Sequence, residues 1–196
     1  MSVAVVRGDD GTPVHLIVQI VDLTDRRALE VELRRAAVED PLTRLANRRA
    51  LLGHLAEAQQ RQGRFVNEVG LLYLDLDDFK AVNDRHGHDV GDRLPRATGE
   101  WLVGATRKTD LACRLGGDEF AVLCEPVGRL HGLEEIVDRL HVAPAPSVLV
   151  DGQLVTAGYS VGAVLVGSEQ GLDEALRGAD ASMYRSKRDR KHALEC

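Results

Sequence analysis

The sequence predicts an α+β fold, a mostly antiparallel central sheet with surrounding helices, on three observations. β-Branched and apolar runs close at glycine-containing turns, helical stretches stand between them, and no internal repeat or low-complexity tract breaks the pattern. In chain order, the opening segment reads as a hairpin, Val3 to Arg7 and His15 to Val21, turning at Gly8-Asp9-Asp10-Gly11. Thr24 to Val38 is charged and helical: Thr24 is available as an N-cap, and Leu29, Leu33 and Ala36 recur at helical spacing. Beyond Asp40-Pro41 follow helix Asn47 to Gln62, strand Val69 to Leu76, helix Asp78 to Arg85 and helix Gly91 to Thr106. Strands Asp110 to Leu115 and Glu119 to Cys124 then meet at Gly116-Gly117, where two glycines can take the positive φ of a tight turn. Helix Leu133 to Leu140, a hairpin at Asp151-Gly152, strand Tyr159 to Val166 and helix Asp173 to Ser186 complete the order.

Two strands alone are marginal in water, so the opening hairpin needs a partner. It resembles the last two strands of a sensory PAS domain, which run into a helix through a junction like Asp22 to Arg26. That resemblance implies that residues 1–23 are a PAS remnant and that Met1 is a cut point within a longer signalling protein; an ordinary amino-terminal strand pair is the alternative. Residues 24–38 read as a linker helix, either a surface helix or a dimerising coiled coil barely two heptads long, and residues 39–196 as the main domain.

Composition narrows the function classes. Of 196 residues, 44% are hydrophobic and 29% charged, which suits a packed globular core and excludes disorder as the main state. With 25 basic and 31 acidic residues the net charge is -6, which argues against nucleic acid or an anionic membrane as partner. No apolar run reaches the roughly 18 residues of a membrane span, so no membrane insertion is expected. Met1 to Arg7 lacks the basic start and apolar middle of a signal peptide. Cys113, Cys124 and Cys196 form neither a disulfide framework nor a zinc spacing, and a reducing cytoplasm is the simplest compartment.

Chemistry concentrates in two acidic clusters. The run Leu71 to Lys80 ends a buried-looking strand in Asp75, Asp77 and Asp78 and then opens a helix. Crowded carboxylates at a strand end are costly without a cation. At Gly116-Gly117-Asp118-Glu119-Phe120 a turn projects two more. If the two segments are neighbours, Asp75 and Asp118 can converge on a hard, oxygen-seeking divalent ion.

These residues resemble the GGDEF-domain diguanylate cyclases, whose naming motif stands intact at Gly116 to Phe120. The likeness runs from Glu39 to the end. It includes Asp40 to Arg49, Asp75 to Lys80, Asn83-Asp84, Gly87 to Asp92 and Ala179 to Lys187. It implies a palm-like nucleotidyl-cyclase fold that condenses two GTP molecules into cyclic di-GMP with release of pyrophosphate. It further implies that magnesium, or manganese, is held by Asp75, the Leu76 carbonyl and Asp118, with Glu119 as ligand or base. Asn83 and Asp92 correspond to guanine readers; an amide and a carboxylate complement guanine's mixed edge. Phe79, Lys80, Lys187 and Lys191 fall at substrate-binding positions. Arg107 and Asp110 match an inhibitory RxxD product site. One domain binds one GTP, so the resemblance also implies a C2 homodimer for catalysis.

Three departures from the family pattern stand out. Arg190-Lys191-His192 replaces Gly-Arg-Asn after the last helix, so a charge survives without a bidentate fork. Ser186 replaces alanine. Pro95 falls in the helix that opens at Gly91-Asp92, where the family has an apolar helix former; within the first turn it is tolerable, and deeper it would cost about 3 kcal/mol and disturb Asp92. A catalytically silent domain that binds GTP or cyclic di-GMP is the alternative function, and another nucleotide product a third. Gly158 to Gly162 fits a nucleophile-elbow pattern, but strand continues after it, so Ser160 is not read as a nucleophile. Asp75 does not begin a calcium loop, since Lys80 stands where glycine is needed. His86 and His88 lack zinc-spaced partners.

Overall fold

The computed structural model describes residues 2–194 other than 8, 10, 20, 21, 23, 63–67, 128 and 129. The chain divides into two compact units between Arg35 and Ala36. The first holds an antiparallel hairpin of β1 (Ser2–Arg7) and β2 (Pro13–Gln19) and most of helix α1 (Thr24–Val38). Ile20 and Val21, expected in the second strand, lie outside the described residues.

The second unit is built on a five-stranded sheet. Its elements are β3 (Ala46–Asn47), α2 (Arg48–Gln62), β4 (Val69–Leu76), α3 (Phe79–His86), α4 (His88–Ala105), β5 (Leu111–Gly116), β6 (Glu119–Cys124), α5 (Leu130–Val142), β7 (Ser147–Val150), β8 (Gln153–Thr156), β9 (Tyr159–Val166) and α6 (Leu172–Leu194). The strand order is β3-β5-β6-β4-β9, with β7 and β8 forming a separate hairpin. Every pairing is antiparallel except β3 with β5. The predicted class therefore holds, with one short parallel edge.

Side chains alternate across β4 and sort the core into two layers. Leu72, Leu74 and Leu76 join Phe120 and Val122 beneath Leu94 and Leu102 of α4 and Leu133, Ile136 and Leu140 of α5. Val69 and Leu71 join Ala121 and Leu123 beneath Leu51, Leu55 and Ala58 of α2 and Leu172, Ala175 and Leu176 of α6. Tyr73 and Asp75 continue this second face toward the strand end. Gly162 makes the α6 contact close: a Cβ there would collide with the Ala179 carbonyl and the Met183 backbone. That approach brings the C-terminal part of α6 to the end of β4.

Several element ends differ from the sequence reading. Asn47 is a cap rather than the first helical residue, its Oδ1 accepting the Ala50 N–H at 3.0 Å. Two residues are too short for a strand pattern, so β3 was illegible. Helix α4 starts at His88, not Gly91, which puts Pro95 well past the first turn; the helix nonetheless runs unbroken and buries Pro95. The last helix extends to Leu194, so 190–192 lie within it rather than after it. No helix of the described residues is long and apolar enough to cross a membrane.

Candidate active site

The antiparallel register sets Asp75 directly opposite Glu119, and Leu76 N–H donates to the Asp118 carbonyl at 3.2 Å. The acidic end of β4 and the double-glycine turn are thus adjacent. Gly117 takes φ 53°, as the turn requires. Asp78 turns the chain from β4 into α3 at φ 55°, a left-handed conformation that Asp tolerates better than most residues.

Four groups interlock where β4 ends. Lys187 Nζ lies 2.8 Å from Asp77 Oδ1 and 3.5 Å from Asp75 Oδ2. Ser160 Oγ donates to both Asp77 oxygens, at 3.0 and 3.3 Å. Ser160 is buried, and its hydroxyl is spent on orienting Asp77, in agreement with its reading as no nucleophile. Burial, with the negative charges of Asp118 and Asp77, holds the Asp75 carboxyl above its ordinary value against the opposing pull of Lys187. Burial alone would lower Lys187, but its bond to Asp77 and the two nearby carboxylates hold it above its ordinary value.

Glu119 turns elsewhere. Tyr73 Oη donates to Glu119 Oε1 at 2.6 Å, and burial together with this bond pushes the phenol pKa up. Both residues line a cavity of about 290 Å³ with Arg48, Leu115, Arg177 and Asp180. Among the described residues no three His, Cys, Asp or Glu side chains already converge as a cation cage. Asp75 lies close enough to Asp118 to feel its charge, beside the Leu76 bond to the Asp118 carbonyl, while Glu119 is held by the Tyr73 hydroxyl. Every donor at the acidic end is oxygen, the set a hard divalent ion prefers.

Helices α3 and α4 meet beside this end. Asn83 Oδ1 is buried without a hydrogen-bond partner and occupies the space a Cβ on residue 91 would need, so any larger residue there would displace the Asn83 side chain. Asp92 is the next residue and is exposed. Lys80 is exposed, Phe79 packs against the core, and the Leu76 side chain is buried, leaving only its backbone to face a ligand. Arg107 and Asp110 share a tight turn: Asp110 Oδ2 accepts the Arg107 N–H at 2.8 Å, and the Arg107 side chain is exposed. The Lys191 side chain lies outside the described residues.

The sequence reading passed over Arg114. Its guanidinium donates to the Gly117 carbonyl through Nε and Nη2, at 3.1 and 2.8 Å, and to Asp40 Oδ1 at 3.1 Å. Asp40 also accepts from Thr43 N–H and Oγ1, both at 2.8 Å. The turn at Asp40-Pro41 and the double-glycine turn are thereby tied through one side chain. Burial would raise the Asp40 pKa, but the Thr43 bonds and Arg114 outweigh it and hold the carboxyl below its ordinary value.

Comparison with known proteins places the chain among relatives of one family. The chain is 35% identical over 158 residues to diguanylate cyclase TpbB of Pseudomonas aeruginosa, covering 80% of this chain and 36% of that protein. The structure of diguanylate cyclase SiaD in complex with its activator SiaC, from the same organism, is 34% identical with a TM-score of 0.72, covering 84% of this chain and 64% of that one. The coiled coil and GGDEF domain of DgcB from Caulobacter crescentus, in complex with c-di-GMP, is 27% identical with a TM-score of 0.69, covering 85% and 89%. The chain spans between 23% and 64% of the length of its curated relatives, exemplified by a Caulobacter signaling protein and a Streptomyces protein. The family "Diguanylate cyclase, GGDEF domain" matches residues 37–193, and with the double-glycine turn set beside the acidic end of β4, the chain belongs to the GGDEF-domain diguanylate cyclase family.

Proposed function

We propose that this chain condenses two GTP molecules into cyclic di-GMP and pyrophosphate. The observation that carries the reading is the meeting of Asp75 with the Asp118-Glu119 turn under the reach of Lys187. In this reading Asp75, the Leu76 carbonyl and Asp118 hold magnesium or manganese, which fits their all-oxygen donor set. When bound, the ion neutralises phosphate charge and lowers the pKa of the attacking hydroxyl. Glu119 accepts the proton of the 3'-hydroxyl or completes the ligand set. Lys187, Lys80, Lys191 and the amides opening α3 hold the triphosphate, and Phe79 contributes to the same substrate site. Lys187 begins paired with Asp77, which keeps its ammonium charged and aimed at the acidic end.

Asn83 and Asp92 read the guanine edge in this scheme. The buried, unpaired Asn83 oxygen supports it, because an orphaned acceptor is costly until a donor such as guanine N–H satisfies it. Gly91→Ala is therefore expected to push Asn83 aside and weaken GTP binding about tenfold, at the scale of one lost hydrogen bond. Equilibrium binding of GTP and ATP to the variant checks this; unchanged preference for GTP overturns it.

Two facing domains are needed, since each holds one GTP. The exposure of Leu29 (57%) and Leu33 (61%), one turn apart on α1, supports that helix as the dimerising linker. The hairpin β1–β2 then represents the end of a preceding sensory domain of PAS type, and the whole acts from the cytoplasm. Arg107 and Asp110 form the product-binding site, where an exposed guanidinium can grip guanine or phosphate.

Incubation with GTP and magnesium is expected to yield cyclic di-GMP and pyrophosphate, and incubation with ATP to yield no dinucleotide. GTP retained without product would instead identify a regulatory binding module.

A further inference from the structure

We propose that Tyr73 is a positioning residue for Glu119, a role that rests on the cyclase reading above. Glu119 is exposed and carries three rotatable side-chain bonds, so on its own it would sample many rotamers. The antiparallel register fixes only its backbone, opposite Asp75. Tyr73 lies two residues before Asp75 on the same face of β4, half-buried, with its ring held by strand and core. Its hydroxyl reaches diagonally across to β6 and donates to Glu119 Oε1 at 2.6 Å, the short distance of a charge-assisted bond.

A rigid phenol on the strand that bears Asp75 therefore sets where the Glu119 carboxylate stands relative to the acidic end. Phenylalanine would fill the same space and leave the carboxylate unrestrained. Among the cavity-lining groups, Arg48 is paired with Asp173. Tyr73 reaches Glu119 by a direct hydrogen bond.

The test uses the whole chain as wild type, Tyr73→Phe, Glu119→Ala and the double variant. Tyr73→Phe is expected to lower kcat for cyclic di-GMP formation about tenfold, the scale of a misplaced reacting group, with KM for GTP within about twofold. Urea unfolding in chelator gives a readout independent of catalysis. There, the shift in midpoint caused by Tyr73→Phe should largely vanish in the Glu119→Ala background, because the two share one bond. Wild-type kcat in Tyr73→Phe, or midpoint shifts that simply add, would overturn the proposal. A fall in KM-derived affinity with unchanged kcat would overturn it as well, by assigning Tyr73 to substrate binding. If the wild type makes no cyclic di-GMP, the cyclase reading fails and the positioning role fails with it, while the unfolding cycle still decides whether the bond exists.

Discussion

Asp75→Asn is expected to abolish cyclase activity while making the protein more resistant to unfolding at neutral pH in the absence of divalent ions. The loss follows from the proposed role of Asp75 as a cation ligand: without its charge the cation that offsets the triphosphate would be held less well, an electrostatic contribution worth about 10²- to 10³-fold in rate. The gain follows from crowding. Burial, Asp118 and Asp77 raise the Asp75 carboxyl above its usual 3.8, so the folded protein binds its proton more tightly than the unfolded chain does. For such a group, stability is fully present below 3.8, falls as pH rises through the window up to the folded value, and is not regained above it. Asparagine cannot ionise and escapes that loss. Lys187 keeps its closer partner, Asp77, at 2.8 Å. Product assays and urea unfolding in chelator measure both halves; a variant that is inactive but less stable than wild type contradicts the crowding argument. Active sites that crowd like charges commonly trade stability for function in this way.

Arg114→Ala is expected to cost about 3 kcal/mol of stability, the scale of a buried ion pair broken from one side. The pair is shielded: the Arg114 and Asp40 side chains are only 11% and 16% exposed. The variant would also leave the Gly117 carbonyl without its two guanidinium bonds, loosening the turn that presents Asp118 and Glu119, so activity should fall with stability. Arg114→Lys should recover little, because a single ammonium cannot serve Asp40 and Gly117 with the same fork. The pH dependence supplies a sharper mark. Because Asp40 titrates below 3.8 in the folded protein, it contributes stability above that value and loses it as pH falls through the depressed one. Without Arg114 the depression lessens, leaving the Thr43 bonds alone to sustain it, and acid unfolding should begin at higher pH. Acid titrations of wild type and variant followed by circular dichroism would test this; coincident acid limbs would show that Thr43 alone sets the Asp40 pKa.

Much of the site was legible in the sequence because its geometry is local. A strand that ends in Asp75-Leu76-Asp77 and a hairpin that turns at Gly116-Gly117 each specify where their carboxylates emerge. The double glycine also announces its turn, since few other pairs tolerate it. Local spacing likewise placed Asn83 and Asp92 at the junction of two helices. Gly91 was visible as part of a motif, but its reason, the Asn83 oxygen packed against its Cα, is a contact between helices.

Tyr73, Ser160 and Arg114 belong to the other category. Each acts across strands or between distant turns: Tyr73 on Glu119, Ser160 on Asp77, Arg114 on Asp40. A two-residue period puts Tyr73 on the face of Asp75, yet nothing in the sequence sets the register between β4 and β6 that makes Glu119 its neighbour. The sequence by itself determined the α+β class and the two acidic turns, because these depend on propensity, turn chemistry and side-chain type. Only the tertiary structure decided which acidic turn lies beside the end of β4, which carboxylate a phenol holds and which arginine ties the turns together, because strand register and helix packing arise from burial summed over the whole core.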